Sequence, residues 1–153
     1  MTVLERLARR LDEQAIPYQR FEHEPVYTSE EAARVRGSSL ASGAKALICK
    51  ADEQFVMFVI PADRKLANKS VRRHLGTRQL RFATADEVFE LTGLRPGSIP
   101  PFGSLFGLKT YCDERLAELG EINFNAGDHC VSFRMTASDY RRSEQPEMGW
   151  FAD

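Results

Sequence analysis

The sequence is poor in the residues that usually announce chemistry. It holds three cysteines, three histidines and one tryptophan in 153 residues. Cys49, Cys112 and Cys130 are odd in number and lack metal-type spacing, so no disulfide framework is implied. Each lies in an apolar or β-prone run, so all three are expected to be buried free thiols. His23, His74 and His129 are far apart in sequence and offer no short ligand pair, which argues against a zinc centre. No metal and no cofactor is expected. There is no Walker A sequence, no G-x-G-x-x-G after a strand and no G-x-S-x-G elbow. The longest apolar run, Phe55 to Pro61, is far too short for a membrane span. The opening residues Met1 to Arg10 alternate charged and apolar side chains and lack the uninterrupted apolar stretch of a secretory signal. The expectation is a cytoplasmic protein without membrane association, monomeric by default.

Acidic residues are missing from one stretch. None occurs between Asp63 and Asp86, an interval that holds Arg64, Lys65, Lys69, Arg72, Arg73, Arg78 and Arg81. These are seven of the 21 Lys and Arg residues, so the rest of the chain is acidic on balance. A basic segment on an otherwise acidic protein is the layout expected for phosphate contact. The alternative is a solvated helix and loop whose charges meet acids from elsewhere in the fold.

The chain is 42% hydrophobic and 28% charged, enough to bury one core in a single domain spanning residues 1–153. Apolar residues at helical spacing predict a helix over 3–14. Thr28 to Glu31 and Thr84 to Glu87 have the capping-box form, opening helices that run to about Val35 and through Leu91. Residues 44–51 and 55–60 read as a hairpin across Asp52-Glu53-Gln54. A helix over 68–75 should end at Gly76, and a short strand should follow at 80–82. Residues 93–107 are rich in glycine and proline. Strands at 108–112, 121–125 and 129–135, a helix over 113–119 and a last helical turn at 138–142 complete the pass. Strands and helices mix without a regular βαβ repeat. The expected class is therefore α/β of the α+β kind, a mixed and partly closed sheet or barrel flanked by helices.

Three features bear on chemistry. Lys45 shares a strand face with Leu47 and Cys49 by the two-residue period. An ammonium there either snorkels to water or meets an anion at the mouth of a cavity. His129 falls on the face of Val131, Phe133 and Met135, either as a core-edge histidine or as a site residue. Pro96-Gly-Ser-Ile-Pro-Pro-Phe-Gly103 has the composition of a rigid loop that presents backbone amides to a carbonyl.

In combination these pieces resemble the YbaK and prolyl-tRNA editing family. Lys45 followed by Ala-Leu-Ile-Cys resembles that family's lysine-bearing strand. Val59 to Arg64 resembles the next strand and its exit, and Ala83 to Gly93 with Gly97 to Pro101 resembles the family's helix and G-x-x-x-P loop. His23 to Ala32 resembles its N-terminal segment. The resemblance covers most of the chain, from about residue 20 to residue 140. It implies hydrolysis of the ester joining a wrong amino acid to the 3′ end of a tRNA, that of proline or a related one. Lys45, Gly97, Ser98 and Pro101 would then be the catalytic set, Lys45 holding the substrate's polar end and the loop positioning its carbonyl. Tyr27, Phe102 and His129 would line the substrate pocket, with core packing an equal alternative for the two aromatic rings. The implied partners are aminoacyl-tRNA and a synthetase. Charge distribution adds Arg64, Lys65, Lys69, Arg72 and Arg73 as contacts to tRNA phosphates. A non-catalytic RNA- or synthetase-binding module and a hydrolase of other small esters are the alternatives.

Overall fold

Helix starts in this chain are written locally. Thr2, Thr28 and Thr84 each accept from the backbone three residues on, and Glu5, Glu31 and Glu87 reach back to close capping boxes. Removing such a cap costs about 1 kcal/mol. They open α1 (Val3–Glu13), α2 (Ser29–Arg36) and α4 (Ala85–Thr92). The other helices are α3 (Asn68–Leu75), α5 (Glu114–Ala117) and α6 (Ala137–Glu144). The computed structural model describes residues 1–153.

The strands are β1 (Gln19–Glu22), β2 (Ala44–Ala51), β3 (Gln54–Pro61), β4 (Leu80–Phe82), β5 (Lys109–Asp113), β6 (Glu121–Asp128), β7 (Val131–Thr136) and β8 (Glu147–Gly149). They form a five-stranded sheet in the order β4-β2-β3-β5-β8 and a three-stranded sheet in the order β1-β7-β6. The β2–β3 hairpin turns at Asp52-Glu53, while β5 runs parallel to β3 and β8 parallel to β5. The sheets touch through one parallel bridge, Gly43 to Asn123, and do not close into a barrel. The mixed α/β architecture is the one expected.

The main core lies between the sheets. Ile48, Met57 and Val59 meet Phe124, Phe133 and Met135 there, with Leu7 and Leu11 of α1 and Tyr140 of α6. A smaller cluster, with Cys49, Phe58 and Ile60, fills the opposite face of the five-stranded sheet beneath Val71 of α3 and Phe151. Alternation along β2 and β3 thus serves two apolar faces. No helix is long and apolar enough to cross a membrane.

Three expectations needed correction. β7 begins at Val131, so His129 sits in the β6–β7 turn and not on a strand face. Asp128 Oδ1 accepts from Cys130 N at 2.7 Å and fixes that turn. The last helical turn is a full helix, α6, followed by the short edge strand β8. Cys49 and Cys112 are buried, but Cys130 in the turn is partly exposed.

Candidate active site

A cavity of about 350 Å³ opens where the five-stranded sheet runs out of partners. β4 pairs with β2 only over Cys49–Ala51. Ala83 N donates to Ile48 O on that side. By strand alternation, the amide and carbonyl of Ala46 point along the same unpaired edge. The cavity occupies this edge, lined by residues 43–48 of β2 and its lead-in, by Tyr27, Thr28, Ser29, Ala32, Ala33 and Arg36 of α2 and its cap, by Phe82, and by Pro96, Gly97 and Ile99 of the loop after α4. Its lining contains no carboxylate, histidine or thiol.

Lys45 lines this cavity. Its Nζ donates to the Arg64 carbonyl at 3.0 Å. Burial lowers the Lys45 pKa from its ordinary value, against the raising influence of Glu30 and Asp63. Lys45 therefore borders the cavity with its ammonium held by a backbone carbonyl.

Of the loop residues, Gly97 lines the cavity with φ +94°, in the region that favours glycine. Its carbonyl accepts from Asn125 Nδ2 at 2.5 Å, and the Ser98 carbonyl accepts from Gly127 N at 2.9 Å. The loop is thus pinned by its carbonyls to β6. The amides of Gly97 and Ile99 have no acceptor within the chain. Ser98 is buried and its hydroxyl donates to the Arg95 carbonyl at 2.9 Å, so it turns away from the cavity. Pro101 is buried behind the loop, where its carbonyl accepts from the Tyr140 hydroxyl at 2.6 Å.

The three expected pocket residues separate. Tyr27 is exposed at the rim and packs on His129 with ring centroids 4.8 Å apart. His129 Nε2 in turn lies against Gly97, 3.6 Å from where a β-carbon there would sit. Phe102 lies elsewhere: it is fully buried, edge-on to Phe124 and Tyr140, and packs in the core without lining the cavity. A side chain next to a glycine-proline loop was as apt to anchor the loop as to face its ligand.

The basic segment begins at the rim, since Ala62 lines the cavity and the Arg64 carbonyl holds Lys45. Arg64, Lys65, Lys69 and Arg73 are exposed and Arg72 is half-buried. None of the five has a carboxylate within 4.0 Å; in this stretch only Arg81, with Glu87, and His74, with Glu147, make such pairs.

Sequence reasoning missed Arg36, Asn125 and Phe82. Phe82 is an exposed aromatic on the cavity wall. Arg36 lines the cavity and donates from Nε to Ser132 Oγ at 2.8 Å and from Nη2 to Asn125 Oδ1 at 2.9 Å. A signal was available: alternation puts Asn123 and Asn125 of β6 and Ser132 and Arg134 of β7 on one face, opposite the core. Four polar residues there imply a partner that the local pattern cannot name. The cysteines stay outside the site, and burial pushes the Cys49 and Cys112 thiols up to about 12, too high to supply a thiolate nucleophile.

Comparison with known proteins follows the same geometry. The chain is 36% identical over 149 residues to the multifunctional Ser/Thr-tRNA deacylase ProXp-y of Escherichia coli (strain K12), covering 94% of this chain and 89% of that one. A proline--tRNA ligase of Staphylococcus epidermidis is 31% identical over 103 residues, 67% of this chain but 18% of the ligase. A solved structure described as a trans-editing enzyme for prolyl tRNA synthetase superposes with a TM-score of 0.86 at 24% identity, covering 100% of this chain and 98% of the other. The family model of the aminoacyl-tRNA editing domain matches residues 23–143, from just after β1 to the last turn of α6, and the chain belongs to that family.

Proposed function

We propose that this protein is a trans-acting aminoacyl-tRNA deacylase. The observation that carries the reading is the cavity itself, lined by Lys45 and by the Gly97–Ile99 loop whose Gly97 and Ile99 amides lack acceptors, with hydroxyls but no histidine, carboxylate or thiol in its lining. Such a site suits attack by water on a bound ester. Water adds to the ester carbonyl, the carbonyl oxygen takes the negative charge, and collapse releases the amino acid and the 3′-terminal ribose hydroxyl. The Gly97 and Ile99 amides would receive the oxyanion, and removing one such donor typically costs 10²–10³ in kcat. A hydroxyl of the substrate's own ribose would guide the water. Lys45 would fix the polar end of the substrate, and Tyr27 with His129 would wall the loop side.

The need for a second hydrolytic pocket is physical, because one methylene provides only about 1–3 kcal/mol of discrimination in a binding site. The relative named as a Ser/Thr-tRNA deacylase makes seryl and threonyl esters the first to try. The likeness to proline--tRNA ligases makes tRNA-Pro a reasonable carrier and such a ligase a candidate partner. Arg64, Lys65, Lys69, Arg72 and Arg73, extending from the rim without acidic partners, would follow the acceptor-stem phosphates.

The test is deacylation of tRNAs charged with Ala, Cys, Ser, Thr and Pro, wild type against Lys45→Ala. Selective hydrolysis lost in the variant is the expected result. Tight tRNA binding without hydrolysis of any ester would replace this reading with a non-catalytic RNA-binding module, which the unpaired basic segment would also serve.

A further inference from the structure

The guanidinium of Arg36 is charged, largely removed from water and without an acid. It closes α2 and reaches over the polar face of the β6–β7 hairpin, where Ser132 Oγ and Asn125 Oδ1 take its Nε and Nη2. No carboxylate lies within 4.0 Å of it. The next charged group is another guanidinium, Arg134, whose Nη2 donates to the Arg36 carbonyl and whose Nε donates to Asn123. Both neighbours of the Arg36 head are neutral, so its positive charge is uncompensated. Its remaining nitrogen, Nη1, has no protein partner and stands 3.8 Å from where a β-carbon on Gly43 would sit. Gly43 and Arg36 both line the cavity. A fixed cation with one free edge facing a ligand cavity is an anion site.

We propose that Arg36 binds the phosphodiester between the last two nucleotides of the substrate, through Nη1 at the Gly43 wall. This rests on the aminoacyl-tRNA reading, and it names which part of the substrate that wall receives. In an aminoacyl-tRNA the ester and the last phosphodiester sit on the same ribose, so a site holding one places the other within a nucleotide's length. Gly43 itself is packed against Ala62 and the Leu40 carbonyl, 2.9 and 3.3 Å from where its β-carbon would sit, so any side chain there would crowd the wall beside Nη1. Ser132 and Asn125 hold the guanidinium plane, so little side-chain freedom is lost when the anion arrives. Burial and the Arg134 charge pull the Arg36 pKa down to about 10, which still leaves it protonated at neutral pH. The like charge of Arg134 is a standing cost that an anion relieves.

The test uses cytidylyl-3′,5′-adenosine and its methylphosphonate analogue, which keeps the shape and removes the charge. Titration calorimetry with the wild-type protein should show the charged dinucleotide binding about tenfold or more tighter. In Arg36→Gln, which keeps the polar reach, the two should bind alike. Because the variant removes a partly buried group, the wild-type protein supplies a second readout: the Arg36 Nε proton should shift in NMR spectra with the charged dinucleotide and stay put with the neutral one. Equal binding of the two ligands by wild type overturns the proposal, as does a preference that survives in Arg36→Gln. Neither result touches the deacylase reading, which is decided by hydrolysis of charged tRNAs.

Discussion

Asn125 couples the Gly97 loop to α2: its Nδ2 donates to the Gly97 carbonyl at 2.5 Å while its Oδ1 accepts from Arg36 at 2.9 Å. One amide thus sets the plane of the Gly97 peptide from a strand of the other sheet. The Asn125→Asp variant keeps the acceptor for Arg36 and loses the donor to Gly97. Its melting temperature should stay within a few degrees of wild type, because Arg36 gains a carboxylate. Its kcat on mischarged tRNA should fall about 10- to 100-fold, the equivalent of one hydrogen bond of about 1–3 kcal/mol. Single-turnover kinetics would separate this from a change in binding.

Gly97 carries φ +94°, a conformation that costs a side-chain-bearing residue about 1–3 kcal/mol. Space is not the obstacle, since the nearest atom to an added β-carbon is His129 Nε2 at 3.6 Å. Gly97→Ala should therefore lose stability of that order, or flip the peptide and lose more than tenfold in activity. Gly107→Ala is the matched control: it also has positive φ, +71°, and open space around it. That variant should lose comparable stability and keep its rate.

Lys45 has a folded-state pKa lowered from 10.5 chiefly by burial. Between the lowered value and 10.5 the unfolded chain binds more protons at this site than the folded one, so this contribution to stability rises with pH. At pH 7 the charged lysine is a net cost to folding. Lys45→Met should abolish hydrolysis and raise the melting temperature at pH 7. The gap between variant and wild type should shrink as the pH approaches 10.5. A melting temperature that falls in Lys45→Met at neutral pH would show that the bond to the Arg64 carbonyl outweighs desolvation.

Arg72 and Arg73 lie on α3, away from the cavity lining. Reversing both to glutamate should raise KM for charged tRNA at least tenfold and flatten its dependence on salt. Hydrolysis of the same amino acid on free adenosine should be unchanged. Equal loss on both substrates would point to damaged folding, and no loss on either would mean that the protein acts on a small ester.

The elements were legible wherever their cause was local. The Thr28 and Thr84 boxes and the Gly76 stop each act within a few positions and lie where the pattern puts them, and the hairpin turn is one residue shorter than expected because Gln54 already pairs with Ala51. β8 was missed because three residues, Glu147 to Gly149, are too few to show alternation and gain their strand from β5 alongside. His129 was placed on a strand because the apolar period of β7 was extended two residues into a turn that Asp128 fixes. Lys45 and the Gly97 loop could be read from sequence, since a cation in an apolar strand and a cluster of glycine and proline are visible there. Arg36 could not. Its role depends on contacts with Asn125 and Ser132, 89 and 96 positions away.

Placing the cavity on the unpaired margin of β2 has a consequence for how the protein lives with itself in a crowded solution. Bare strand margins recruit other chains and seed fibrils. Here the margin at Ala44–Leu47 is sunk between α2 on one side and the Pro96–Ile99 loop on the other. A strand arriving at this margin would have to displace one of these two walls before it could pair. The same two walls that border the cavity therefore guard against self-association, and loosening either one should be felt first as turbidity.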